Sequence, residues 1–406
     1  MSSWFNGLMR TPRPSAPSAT AGAVFALVRD GVATTRADLA KHTGLSRSAI
    51  VSRVNALSAL GLVVETEDDR STGGRPPARL SFDVDAGIVL AAAIGRSRSQ
   101  LAVFTVGGDF LAGDTVDQEI GVGPDELMPQ ITTRFDALID DAGRAGHRIF
   151  GVGLAIPGTA DTVRGCSLDS PIMHGWDGVP LAPYFGQLTS APVFLDNDAN
   201  AMILGERRDT REHFENVLLV KASTGLGAGI IAGGVLQRGS LGAAGEFGHT
   251  KTAAAAGVAC RCGDSGCLEA IAGGWALVHA LQDQGRSVGH IRDVVDLAVG
   301  GDAEARRLIR DSGRHIGETL AGAVNLLNPE ILVLGGDMAK SYDIFVAGLR
   351  ETVYGRATAL ATRNLTIRAT MHSGQSGVIG CAALVSDRVL SSDAIDASLR
   401  ASSASA

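Results

Sequence analysis

The chain has 406 residues, 45% hydrophobic and 19% charged, which is too long for one ordinary domain and apolar enough to pack two or three. No apolar run approaches the roughly 18 residues that span a bilayer. Five cysteines, an odd number with three crowded between 260 and 267, argue against a disulfide framework and for a metal site.

The net charge of −7 conceals an asymmetry. Arg10 to Val64 carries seven basic side chains against two acidic ones, a net of +5 that leaves −12 for the remainder. A basic head on an acidic body fits a phosphate-seeking module attached to a sensor.

In chain order, residues 1–20 are rich in Ser, Pro, Arg and Ala and lack the apolar core of a secretory signal, so a disordered cytoplasmic arm is expected. Three short helices follow. The first covers Ala21 to Arg29 with Val24, Leu27 and Val28 on one face, and the second covers Arg36 to His42 with Leu39 and Ala40 inward. Thr43-Gly44-Leu45 makes a sharp turn in which Gly44 takes a positive φ. Ser46 caps the third helix, whose Ile50, Val54 and Leu57 fall at i, i+4 and i+7 as a buried stripe. Its other face carries Arg47, Ser48, Ser52 and Asn55, hydrogen-bonding groups that reach base edges if the helix enters a major groove. Arg53 and Lys41 suit phosphates, which position without specifying. Leu62–Val64 and Ala78–Phe82 read as the two strands of a wing. Arg75, held between Gly74 and Pro76 at its tip, fits a narrow minor groove, though Gly73–Pro77 fits a linker turn as well. Residues 21–82 are therefore expected to be a winged helix-turn-helix that binds a double-stranded DNA operator.

From Asp83 the pattern changes to strands separated by glycine turns and helices, an α/β arrangement. A first lobe is expected over 83–198, a second with a C-terminal return over 199–390, and a disordered tail over 391–406. Ile88–Ile94 and Leu101–Val106 read as a hairpin. Val217–Val220 runs into Ser223–Gly229, a glycine-rich turn that leaves backbone N–H groups open to an anion. His249 with Cys260, Cys262 and Cys267 supplies the three thiolates and one imidazole of a closed, tetrahedral structural zinc site. Such a site would pin the loop carrying Glu246 and Glu269. Those carboxylates, with Asn197 and Asp198, form a set suited to vicinal hydroxyls. The helix ending at Leu327 presents Ile316, Leu320, Ala323, Val324 and Leu327 on one stripe, either core or interface.

From Ala21 onward the ordered series of motifs resembles the ROK family (repressor, open reading frame, kinase). The matching stretches are Ile156-Pro157-Gly158, Leu195–Ala201, Ser223–Gly229, Gly245–His249, Cys260–Glu269 and Asn328–Gly336. The resemblance implies a two-lobed hexokinase/actin-like (RNase H-like) α/β body with a cleft between its lobes. It implies zinc on His249, Cys260, Cys262 and Cys267, and sugar contacts at Asn197, Asp198, Glu246, His249 and Glu269. In catalytic members the residue matching Asp198 is the general base.

Two departures stand out. The family's kinases open with an Asp-x-Gly-Gly-Thr phosphate turn, and here Ala93 replaces the Asp and Arg96 the second glycine. Ala93 cannot help hold a metal and Arg96 obstructs phosphate, so phosphoryl transfer is not expected and Asp198 is a vestigial base. The other is Ile172, where sugar-binding members often have Asn. The expected function is a sugar-responsive transcription regulator, a homodimer or homotetramer acting as a repressor, with a sugar or sugar phosphate as effector. The alternatives are a ROK-type hexose kinase and a DNA-binding protein whose body only oligomerises.

Overall fold

The computed structural model describes residues 19–66, 78–119, 121–168, 173, 175–208, 214–372 and 374–404. The chain divides into two compact units. One comprises the residues up to Ala86 together with Asp387–Ala406, and the other is Gly87–Ser386.

In the first unit, helices α1 (Ala21–Arg29), α2 (Arg36–Thr43) and α3 (Arg47–Ala59) precede a two-stranded antiparallel sheet of β1 (Val63–Thr66) and β2 (Arg79–Phe82). Each helix starts where a hydroxyl can take an orphan N–H: Thr20 accepts from Ala23, Thr35 from Asp38 and Ser46 from Ala49. Gly44 ends α2 at φ 70°, the left-handed conformation that turns the chain into α3. Val24, Phe25, Val28, Leu39, Ile50, Val54, Leu57 and Leu80 form the buried core. Phe25 meets Phe82 edge to face at 5.3 Å, which docks β2 on α1. The wing tip, Arg75 included, lies outside the described residues.

The C-terminal segment departs from expectation. Instead of a disordered tail, Ser392–Ala404 is a helix. It packs on α1: Asp396 Oδ1 accepts the N–H of Gly22 at 2.8 Å, and Arg29 donates to the Leu390 carbonyl at 3.2 Å. Ile395 and Leu390 are buried. The approach is close enough that a Cβ on Gly22 would lie 2.1 Å from the Ser392 carbonyl oxygen.

The second unit is built from two five-stranded sheets of the same design. In the first, β3 (Ile88–Ile94), β4 (Arg98–Thr105) and β5 (Phe110–Asp117) form an antiparallel meander. After α4 (Pro124–Asp141), β6 (Ile149–Ile156) pairs parallel with β3. A small ribbon, β7 (Thr159–Asp161) and β8 (Cys166–Leu168), intervenes before β9 (Val193–Asn197) pairs parallel with β6. The order is β5-β4-β3-β6-β9. α5 (Asp198–Arg208) then leads to the second meander, β10 (Val217–Ala222), β11 (Leu226–Ala232) and β12 (Val235–Leu236).

Helices α6 (Glu269–Ala272), α7 (Gly274–Gln282), α8 (Ile291–Val299) and α9 (Ala303–Leu327) follow. Then come β13 (Ile331–Gly335), α10 (Tyr342–Arg356), α11 (Ala359–Thr362) and β14 (Thr366–Ala369), both strands parallel to β10. The order β12-β11-β10-β13-β14 repeats the first sheet. Of the stripe on α9, Ile316, Leu320 and Val324 are core, Ala323 packs half-buried against it and Leu327 is exposed.

The two sheets are joined where α5 meets α12 (Ser376–Val389), which returns to the first sheet. The contact runs backbone to backbone: a Cβ on Gly205 would lie 2.0 Å from the Ser376 carbonyl oxygen, and one on Gly380 1.6 Å from that of Ala201. Cys381 Sγ donates to the Ala92 carbonyl of β3 at 3.4 Å. Gly380→Ala is expected to destabilise the protein by about 2 kcal/mol or more, because neither backbone can withdraw. Gly322→Ala, mid-helix in α9 with open space around its Cβ, is expected to stabilise by up to about 1 kcal/mol. Thermal denaturation of the two variants checks both signs.

Candidate metal centre and polar pocket

The pocket is assembled at strand ends and helix starts, where backbone groups are unpaired and side chains converge. Asn197 closes β9 and caps α5: its Oδ1 accepts from Ala199 N (2.8 Å) and Asn200 N (3.2 Å), and its Nδ2 donates to the Gly158 carbonyl (2.9 Å). The next residue, Asp198, pairs its carboxylate with Lys221 Nζ from β10. Beneath them the buried Asp196 accepts from Asn200 Nδ2 (2.8 Å) and Arg238 Nε (2.8 Å), which fixes the strand-to-helix corner.

Gly245, at φ 100°, presses against β11; a Cβ there would lie 1.9 Å from the Ala228 carbonyl oxygen. This contact delivers Glu246 to the pocket. Burial holds the Glu246 carboxyl above its ordinary range; the charge of His249 opposes this, while those of Asp198 and Glu269 add to it. Glu269 opens α6 and is 4% exposed. Its Oε2 accepts from Leu226 N (2.8 Å), and its Oε1 from Trp275 Nε1 (3.2 Å) and an Arg261 terminal nitrogen (3.4 Å). The structure thus brings Asp198, Glu246, His249 and Glu269 into one electrostatic neighbourhood. It also gives Asn197 and Glu269 protein partners of their own.

His249 stands on the same short turn as Glu246 and faces two ways. Its Nε2 lies 4.0 Å from Glu246 Oε2, and its Nδ1 lies 3.8 Å from Cys260 Sγ. Cys262 Sγ and Cys267 Sγ are 3.7 Å apart, and all four donor atoms lie within 4.8 Å of one another. A tetrahedron of ligands about 2.3 Å from a central ion has edges of about 3.7 Å, so a small contraction of the donor set would close it around a metal ion. Gly263 (φ 89°) and Gly266 (φ 81°) supply the turns that fold three cysteines of an eight-residue stretch onto one point.

Sequence reasoning missed Lys221 and Arg238, the cations that answer Asp198 and Asp196. Lys221 had a signal, as the one charged residue in the otherwise apolar strand Val217–Ala222. It missed His290 too, whose Nε2 reaches both Ser97 Oγ (3.3 Å) and Thr224 Oγ1 (3.2 Å) and so links the two glycine-rich turns.

In the other unit, Arg47, Ser48, Ser52 and Asn55 are exposed and line one shallow concave surface of α3 with Ser46 and Val51. Arg53 is placed differently. Its Nε donates to the Ala19 carbonyl (2.7 Å) and a terminal nitrogen to that of Ala49 (3.2 Å), so its guanidinium is engaged by the protein. Arg75 and Ile172 lie outside the described residues.

Paired sheets of identical strand order, with acidic groups gathered at the ends of their strands, define a protein of the actin-like, hexokinase-type α/β class. Within that class the chain belongs to the ROK family, whose signature matches residues 89–388. It is 27% identical over 382 residues to the xylose repressor of Caldicellulosiruptor bescii, covering 91% of this chain and 95% of that one. The crystal structure of a ROK family transcriptional regulator, a homologue of the E. coli Mlc protein, superimposes with a TM-score of 0.76 at 25% identity. That match covers 93% of this chain and 98% of the regulator. A ROK family glucokinase from Streptomyces griseus, solved with glucose and AMPPNP, has a TM-score of 0.60 at 28% identity. It covers 73% of this chain and 99% of the kinase.

Metal analysis of the purified protein checks the donor set. About one equivalent of tightly held metal is expected, and Cys260→Ser or Cys267→Ser should lose it together with several degrees of Tm.

Proposed function

We infer that the protein is a sugar-responsive, DNA-binding transcription regulator of the ROK family, a repressor whose kinase-like body serves as a sensor. The observation that carries this reading is the polar, exposed face of α3. It presents Arg47, Ser48, Ser52 and Asn55 outward while Ile50, Val54 and Leu57 are buried beneath. Short hydrogen-bonding groups on the first turns of a helix, behind a glycine turn, are what a major groove receives. The similarity to the xylose repressor and to the Mlc homologue runs over nine-tenths of the chain, head included. The glucokinase shares about three-quarters of it.

Three features of the body support sensing over catalysis. Ala93 stands where the family's kinases have the Asp of their phosphate turn. Arg96 brings a bulky cation to that turn. Asp198, the position of the general base, is ion-paired with Lys221, which occupies one of its carboxylate oxygens. On this reading Asp198 and Glu246 accept sugar hydroxyls through carboxylate oxygens, the Nε2–H of metal-bound His249 donates to a sugar oxygen, and Asn197 and Glu269 shape the pocket. Zinc held by His249, Cys260, Cys262 and Cys267 is structural: it fixes the loop bearing Glu246 and Glu269 and keeps Nε2 of His249 turned to the pocket. The protein works in the cytoplasm as a homodimer or larger homo-oligomer, two α3 helices reading successive major grooves of a near-palindromic operator. Arg75 reads the minor groove from the wing.

Sugar alters DNA affinity only by as much as it prefers one arrangement of the protein over another. Fluorescence anisotropy on the DNA upstream of its own coding region tests the whole reading. Tight, salt-dependent binding weakened by one sugar is expected; binding indifferent to every sugar would leave only the head's role standing. Arg47→Ala or Asn55→Ala should cost about 1–3 kcal/mol on the specific site and little on random DNA. Glu246→Ala should bind DNA normally and lose the sugar response. Coupled ADP-release assays with hexoses are expected to show no turnover, and turnover would restore the kinase reading.

A further inference from the structure

Two arginines in the body have no role in the hydroxyl-binding set. Arg96 stands in the turn between β3 and β4, and Arg261 lies between two metal ligands. The Nε atoms of both are shut off from solvent and have no hydrogen-bond partner among the described residues. The charge of Glu269 bears on both guanidinium groups and that of Arg96 on Arg261, so the two cations face one carboxylate. That carboxylate is already engaged by Leu226 N and Trp275 Nε1. Arg261 reaches it only at 3.4 Å and otherwise lies over the Trp275 ring, 4.7 Å from its centroid.

Two guanidinium groups half-withdrawn from water, with buried donors unsatisfied, cost free energy in the unliganded protein. An anion with two or more oxygens relieves that cost directly, because its oxygens match the donor fork of a guanidinium. Elsewhere in the pocket Lys221 answers the charge of Asp198. Arg96 has no such partner among the described residues.

We propose that Arg96 and Arg261 form an anion subsite, and that the effector is an anionic sugar: hydroxyls on the carboxylate side of the pocket, a phosphate monoester or carboxylate between the two guanidinium groups. The proposal rests on the sensing function inferred above and specifies the ligand's chemistry. The residue that removes the phosphate turn of a kinase thereby acquires a task, holding the anion already present on a ligand rather than one in transfer.

Isothermal titration of the full-length, metal-loaded protein separates the possibilities. The probes are neutral aldoses, their terminal phosphates, the corresponding uronates, and inorganic phosphate alone. At least one anionic sugar should bind tenfold or more tighter than its neutral parent, and more tightly than inorganic phosphate. Arg96→Gln should abolish that preference while leaving the neutral parent's affinity and the metal content unchanged, and Arg96→Lys should retain part of it. The preference lying with the phosphates or with the uronates names the source of the anion. A neutral sugar binding as tightly as its anionic forms, or an unchanged preference in Arg96→Gln, overturns the subsite and leaves the sugar sensor intact. Inorganic phosphate binding as tightly as any sugar phosphate overturns the composite ligand. Absence of saturable binding by every probe overturns both the subsite and the sensing reading beneath it.

Discussion

The carboxylate of Glu269 holds the body's functional corner together. It is almost completely buried, and a buried charge is tolerated only where donors surround it. Leu226 N at the start of β11, the indole N–H of Trp275 in α7 and the guanidinium of Arg261 in the metal loop converge on it. A strand 43 residues away and the two segments flanking Glu269 are thereby held at one point. The helix it opens follows directly from Cys267, so the same few residues connect the histidine–cysteine cluster, the second sheet and the pocket. Glu246 and His249 are placed against this frame by the contact between Gly245 and β11.

The head obeys simpler rules. Its helices are short, between eight and thirteen residues, and gain little from propensity alone. Their ends are satisfied by hydroxyl caps and their faces by a small core around Phe25, Ile50 and Leu57. Because that core takes one side of α3, the other is free to carry side chains chosen for recognition rather than packing. Arg53 marks the boundary between the two: it is basic like its neighbours, but its partners are carbonyls of its own unit.

Much of this was legible because it is local. Thr43-Gly44-Leu45-Ser46 states a turn and a cap in four residues, and both formed where the residue types required them. The set of one histidine and three cysteines was legible because few other arrangements use three thiols and an imidazole so close in sequence. What escaped is non-local or compositionally disguised. The pairing of Lys221 with Asp198 joins a strand to a helix start 23 residues away and leaves no periodic trace. Ser392–Ala404 is rich in Ser and Ala and reads as a loose tail. Its Ser391 cap and the apolar Ile395 become decisive only with α1 to pack against. Arg53 was read from its charge, whereas its partners depend on the path of the chain ahead of α1.

The helix Ser392–Ala404 changes what counts as the head. Ile395 and Leu390 belong to its buried interior, and Asp396 binds the first turn of α1. The reading module is therefore sewn from both sides of the body's sequence and is completed last during synthesis, after the ribosome has passed Ser392. A nascent chain that has finished α3 and the wing still lacks part of its own packing. The body is also tied to the head by two covalent strands instead of one, near Ala86 and near Asp387. The chain thus passes between the two units twice.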